Sequence, residues 1–212
     1  GNDGSTNKSE DRFGTNIQTN DNGNIIAISS TAPGEAGTVE IFTRSEDTFT
    51  HRHTLVGVLA DGSTKDIQFG KDISMSTDGK TLVISAPGFD NNTQNNAGAV
   101  YVYKWMVDSS TSEYSLDQTI YSPETDSNMQ FGSSLKLNKQ ASRLLIGAEN
   151  YTNKTKNDID FDATTFDLGD TTISEYYAQS GAAYTATISL LLMIKLKARA
   201  FLRTISLVKV WS

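Results

Sequence analysis

The sequence predicts an all-β fold built from repeated units of four antiparallel strands, and three observations predict it. Three stretches align without a gap: FGTNIQTNDNGNIIAISS from Phe13, FGKDISMSTDGKTLVISA from Phe69 and FGSSLKLNKQASRLLIGA from Phe131. Each is followed by a second landmark of small residues, AGTVEIF at Ala36, AGAVYVY at Ala97 and SGAAYTA at Ser180. Before residue 190 little of the chain has helical periodicity, while β-branched and aromatic residues recur at every second position of several runs. The Phe-Gly pairs stand 56 and 62 residues apart, a spacing typical of repeat architectures.

Each unit reads as four strands in order. The first follows Phe-Gly (TNIQTN, KDISMS, SSLKLN). It turns at Asp21-Asn22-Gly23 or Asp78-Gly79, pairs suited to a tight hairpin. In the third unit Gln140-Ala141-Ser142 stands there, so a weaker turn is expected. The second strand is an apolar run (NIIAIS, TLVISA, RLLIGA), the third alternates (GTVEIFTR, GAVYVYKW), and the fourth is TFTHRHTLV or YSLDQTIY. A second strand apolar on both faces needs a sheet covered on both faces. An antiparallel sheet stacked between like sheets is a blade of a β-propeller.

The expected division is blade one over 13–66, blade two over 67–128 and blade three over 129–189, with a long insertion at 149–179. Residues 1–12 read as the end of a preceding segment, and the chain as a piece of something larger. Propellers close with roughly four to eight blades, so three form an incomplete arc. Its ends await the remaining blades of the parent protein or another copy. The small residues Ser29-Ser30, Ser85-Ala86-Pro87-Gly88 and Gly147-Ala148 are expected where inner strands converge on the propeller axis, and Ala97-Gly98-Ala99 where the next strand starts in close contact.

These residues resemble the FG-GAP repeat, which builds the propeller of integrin α subunits and of many bacterial and viral surface proteins. The signature positions are Phe13, Gly14 and Gly37; Phe69, Gly70, Ala86, Pro87 and Gly98; and Phe131, Gly132, Gly147, Ala148 and Gly181. The resemblance implies a non-enzymatic adhesion or structural role at a cell or virion surface, outside the cell, with a protein or glycan as partner. The integrin-like form carries calcium on a loop of several Asp between its first two strands. Here that place holds at most one acid, as in the shorter bacterial and phage variant, so calcium is not assigned to Asp21 or Asp78. From Gly14 to Gly37, Gly70 to Gly98 and Gly132 to Gly181 the separations are 23, 28 and 49 residues. The long third insertion, rich in Asp and Thr, is similar to those of large phage structural proteins.

Other residues offer candidate chemistry. Asp158, Asp160 and Asp162 alternate in DIDFD and could share a calcium ion, or form a solvated acidic loop. His51 and His53 flank Arg52 and are expected on one side of an outer strand, where two rings begin a zinc site that lacks a third ligand. Asn7, Asn91, Asn150 and Asn153 head glycosylation acceptor patterns. Tyr101, Tyr103, Trp105, Tyr176 and Tyr177 could stack on carbohydrate, whereas a third-strand position for the first three favours packing between blades. The loops at 88–96 and 149–179 are the expected contact surface. No nucleophile–base constellation or phosphate-binding loop stands out, which leaves the alternative, a carbohydrate-processing propeller enzyme, without catalytic residues.

Composition narrows the field further. The 212 residues carry a formal charge of −7 and no cysteine, which disfavours nucleic acid and removes disulfides and thiolate metal sites. No apolar run reaches the roughly 20 residues of a membrane-spanning helix. Residues 1–189 hold 13 basic against 25 acidic residues, a net of −12, while the last 23 hold five basic residues and no acid. That basic apolar tail, 190–212, is either an amphipathic strand in its own right or the product of a frameshift after about Tyr184. The abrupt change within a repeat favours the frameshift.

Overall fold

The computed structural model describes residues 12–57, 66–91, 94–107, 112–123 and 127–150, with the backbone of strands at 165–167, 171–177 and 182–188. The described residues form an all-β protein of three antiparallel sheets in propeller-like succession, without helix. The first sheet runs β1 (Phe13–Thr19), β2 (Ile25–Ser30), β3 (Thr38–Ser45) and β4 (Thr48–Val56) in that spatial order. The second repeats it with β5 (Ile73–Met75), β6 (Thr81–Ala86), β7 (Ala99–Val107) and β8 (Ser112–Tyr121). The third begins likewise with β9 (Phe131–Leu137) and β10 (Arg143–Ala148).

The middle sheet separates two apolar cores, as a strand apolar on both faces requires. Leu82 and Ile84 of β6, with Tyr101 and Tyr103 of β7, enter the core shared with the first sheet. The intervening Val83, Val100 and Val102 enter the core shared with the third, beside Phe131, Leu135 and Leu144. All six residues of β6 are buried. The two-residue period of a strand thus feeds both neighbours from one segment.

Consecutive sheets are joined by the signature residues. The Phe69 N–H donates to the Ala36 carbonyl at 2.8 Å, and the Phe131 N–H to the Ala97 carbonyl at 3.1 Å. Gly37 and Gly98 adopt φ of +91°, and a Cβ on either would collide with the backbone carbonyl of Phe69 or Phe131. Only glycine combines that dihedral with that approach. Ser29 lies under Gly70 and Ser85 under Gly132, where a Cβ on the glycine would come within 2.7 and 3.3 Å of the serine Cβ. The small residues expected at the axis therefore serve the seams between blades. Two backbones approach there, and bulk would hold the sheets apart.

The first strands of successive sheets meet one another. Asn16 Nδ2 of β1 donates to Asp72 Oδ1 at 2.8 Å, while Leu135 N–H of β9 donates to Asp72 Oδ2 at 2.6 Å. Leu137 N–H reaches Ser74 Oγ at 3.0 Å. Side chains at the start of the second sheet thereby satisfy donors on the edge of β9, which would otherwise be open to pairing. The turns stack as well: Asp21 N–H donates to the Thr77 carbonyl at 3.0 Å, and Thr77 N–H to the Lys139 carbonyl at 3.1 Å. Residue for residue, 21, 77 and 139 are equivalent, eight places after each Phe.

Two expectations change at the third unit. Ala141 replaces the turn glycine yet keeps its conformation, with φ of 55° against 67° at Gly23 and 70° at Gly79. The turn is carried by Asn138, whose Oδ1 accepts the Ser142 and Arg143 N–H groups at 2.8 and 2.9 Å. Beyond β10 the sheet continues with β11 (Thr165–Asp167), β12 (Thr171–Tyr177) and β13 (Ala182–Ile188), in the order β9-β10-β13-β12-β11. Part of the insertion expected as loop is thus strand, as suits the β-branched and aromatic TTISEYY. Strand β13 pairs with β10 from Ala182↔Ala148 to Thr187↔Arg143, so regular pairing runs past Tyr184. The tail 190–212 lies outside the described residues.

Candidate functional site

One end of the second sheet gathers an amide-rich surface. Pro87 and Gly88 leave β6 in a turn, and Phe89 folds back into the core, 2% exposed. The loop then holds itself: Asp90 Oδ1 accepts Asn96 N–H at 2.7 Å, and Asn91 and Gln94 exchange backbone hydrogen bonds of 3.0 and 2.8 Å. It is tied to the start of the third sheet. Asn128 N–H donates to the Asn95 carbonyl at 2.7 Å, Gln130 N–H to the Asn96 carbonyl at 3.1 Å and Asn96 Nδ2 to Asn128 Oδ1 at 3.0 Å, while within the third unit Asn150 Nδ2 donates to Gln130 Oε1 at 2.9 Å. Beside this cluster Tyr121, at the end of β8, is 46% exposed, with its ring 5.5 Å from that of Phe89. Amides offer paired donors and acceptors, and an exposed ring offers a stacking face, the two needs of a hydroxyl-rich ligand.

The third-strand aromatics take the other role. Tyr101 and Tyr103 are 4% and 7% exposed, and Phe69 meets both edge-on at 5.3 and 6.4 Å. Burial pushes both phenols upward, Tyr103 to about 12. Trp105 packs edge-on against Tyr114 at 5.0 Å. Carbohydrate stacking by Tyr101 and Tyr103 is ruled out because the neighbouring blade already covers them. Tyr176 and Tyr177 lie on β12, whose backbone alone is described.

His51 and His53 do not share a face. A bulge at Arg52 pairs His51 with Phe42 and His53 with Ile41, neighbours that point to opposite sides of β3. His51 Nε2 lies 2.6 Å from Glu40 Oε2, which also accepts the Thr54 hydroxyl at 2.6 Å. The Thr54 hydroxyl is 3.5 Å from the same His51 nitrogen. A relay from hydroxyl through imidazole to carboxylate uses both ring nitrogens, and this cluster uses one. On the opposite face His53 Nε2 accepts the Tyr114 N–H at 3.3 Å, and burial is the main cause holding its imidazole below the ordinary value.

Asp78 caps its own turn. Its Oδ1 accepts the Ser76 hydroxyl at 2.7 Å and the Lys80 N–H at 2.9 Å. Burial works upward on this carboxyl, yet these hydrogen bonds together with the Lys80 charge leave it below its usual range. Among the described residues no group of three or more acids or histidines is placed to hold a metal ion. Asp158, Asp160 and Asp162 lie outside the described residues, as do Gly181, Asn7 and Asn153. Of the remaining signature positions, Phe69, Phe131, Ala86 and Ala148 are buried at the seams, while Phe13 is 59% exposed. Sequence reasoning missed Tyr121 and Asn128; Tyr121 sits opposite Ala99, the first residue of β7.

Residues 58–103 match the FG-GAP repeat family. A search of curated proteins finds no match. Among solved structures, a candidate 6-phosphogluconolactonase of Bacteroides fragilis is similar at 16% identity and a TM-score of 0.43, over 77% of this chain and 35% of its own. A second, from Bacteroides uniformis, is similar at 11% identity and a TM-score of 0.40, over 77% and 36%. The chain therefore spans about a third of the length of these solved structures. The matched segment includes Phe69-Gly70, β5, β6, Ala97-Gly98 and the first half of β7. The match at residues 58–103 and the three seam-linked sheets together support an arrangement of FG-GAP and β-propeller type.

Proposed function

We propose that the chain is a non-enzymatic adhesion or structural module, part of a larger propeller protein at a cell or virion surface. It binds a protein or glycan through the loop surface of residues 88–96. The observation that supports this reading is the cluster of Asn95, Asn96, Asn128, Gln130 and Asn150 beside the exposed Tyr121. A loop tied down by its own hydrogen bonds presents its outward groups without first losing much conformational freedom, which favours binding.

Retention on immobilised polysaccharides and on glycan and surface-protein arrays tests the reading. Binding without turnover, weakened about 10-fold or more by Tyr121→Ala, is the expected result. Turnover of any bound glycan overturns the non-enzymatic part. Failure to bind any glycan or surface protein overturns the adhesion reading.

A further inference from the structure

The turns between the first and second strands of the three sheets share one geometry and differ in chemistry. Asn22, Asp78 and Gln140 are equivalent, and each precedes a residue of positive φ: Gly23 at 67°, Gly79 at 70° and Ala141 at 55°. All three side chains are exposed, including Asp78, whose turn has a sheet on both sides, so a neighbouring sheet does not cover this position. Asn22 Oδ1 accepts the Asn24 N–H at 3.1 Å, and Asp78 Oδ1 accepts the Lys80 N–H at 2.9 Å. A bond to the amide two residues on folds the side chain back across the intervening amide and brings Cγ toward its nitrogen.

The outcome depends on what that Cγ carries. At Asn22 it belongs to a neutral amide, whose carbonyl the Asn24 N–H polarises. At Asp78 it belongs to a carboxylate that also accepts the Ser76 hydroxyl at 2.7 Å, and a carboxylate is a poor electrophile. At Gln140 the side chain is one carbon longer and would have to close a six-membered ring onto Ala141. Asn22-Gly23 is the only Asn-Gly pair in the 212 residues, and glycine puts no Cβ in the way of ring closure.

We propose that Asn22 is a site of spontaneous deamidation, through a cyclic imide formed with Gly23. The Gly23 nitrogen leaves its 3.0 Å hydrogen bond to the Asn20 carbonyl, gives its proton to hydroxide and bonds to Asn22 Cγ. Nδ2 takes a proton from water and departs as ammonia. A second water opens the ring on either side. Attack at Cγ leaves an ordinary aspartate, whereas attack at the backbone carbonyl leaves isoaspartate, whose main chain runs through the former side chain and is one methylene longer. Either product adds one negative charge. The aspartate fits, since Asp78 fills the same place in the second turn. The isoaspartate does not, because the lengthened backbone cannot keep both the Asn20 N–H on the Ile25 carbonyl and the Asp21 N–H on the Thr77 carbonyl, now at 3.2 and 3.0 Å. The turn that ties the first sheet to the second therefore ages chemically, whatever the loop at 88–96 binds.

The full chain, held at mildly alkaline pH and sampled over time, tests this by peptide mapping, with isoaspartyl methyltransferase labelling to separate the two products. Modification is expected at Asn22 ahead of every other asparagine, and the aged chain is expected to melt at lower temperature by far-UV circular dichroism. Asn22→Gln, which borrows the residue of the third turn, should lose both the label at this position and the melting shift. Freshly prepared Asn22→Asp should melt with the fresh chain. Asn22 left intact, or modified no sooner than the other asparagines, overturns the proposal. So does an aged chain, labelled at Asn22, that melts with the fresh one.

Discussion

The Asp72 carboxylate accepts the Leu135 amide at 2.6 Å with one oxygen and the Asn16 side chain at 2.8 Å with the other, so one residue of the second sheet grips both neighbours. Its own backbone is held in turn, by Ser85 Oγ at 2.8 Å. Replacing it by alanine strands the Leu135 N–H and frees Asn16. Asp72→Ala is expected to cost about 2–3 kcal/mol, and Asp72→Asn about half as much, in urea unfolding. A loss within error for both would show that the grip contributes nothing net.

The seam glycines and the turn glycines should separate cleanly. Gly23 has φ of +67° with open space where a methyl would stand, so Gly23→Ala should cost about 1–2 kcal/mol for the left-handed conformation alone. Gly98 has φ of +91° and the Phe131 backbone against it, so Gly98→Ala must also push two sheets apart. A loss of about 3 kcal/mol or more is expected, and thermal unfolding of the two variants compares them directly.

Acid sensitivity should trace to His53. Burial holds its folded pKa below the unfolded value of 6.5, so the unfolded chain binds the proton more readily. The stability it contributes by staying neutral is complete above 6.5 and falls as pH drops below that value, until the folded state protonates too. His53→Gln should flatten this part of the profile of stability against pH. An unchanged slope between neutral and mildly acid pH would exclude the residue.

Alkali should act through the buried phenols. Tyr103 is raised to about 12 and Tyr101 and Tyr114 are also raised, mainly by burial, so the unfolded chain loses these protons first. Stability is therefore lost as pH climbs above the unfolded value of 10. Absorbance at the phenolate band should show these tyrosines ionising together with loss of β-structure. Ionisation of all eight tyrosines ahead of unfolding would contradict the burial.

The strands were legible because each advertises itself locally. The runs from Phe13, Phe69 and Phe131 repeat apolar positions that a sheet must bury, and the middle copy, TLVISA, announces two covered faces. The seams were not legible, since smallness at Gly37 or Ser85 says only that something comes near. What comes near is a residue from the next repeat, and no spacing within one repeat names it. Asp72 was hidden for the same reason: its equivalents are Asn16 and Ser134, three different polar residues whose common task appears only across sheets. The bulge at Arg52 has no glycine or proline to mark it, so the alternation rule placed His51 and His53 together when one inserted residue had already turned them apart. Tyr121 passed as one more strand aromatic, because exposure at a strand end depends on where the neighbouring loop travels.

The stacked turns and the doubly covered middle sheet also set how the molecule would yield to a load. Among the described residues each outer sheet shares one seam, whereas the middle one shares two, with Asp72 reaching both ways. Pulled from opposite ends, the arc should peel like a short stack of tiles, losing a flank first and its centre last. Tension carried through such a protein would be borne longest by the middle blade.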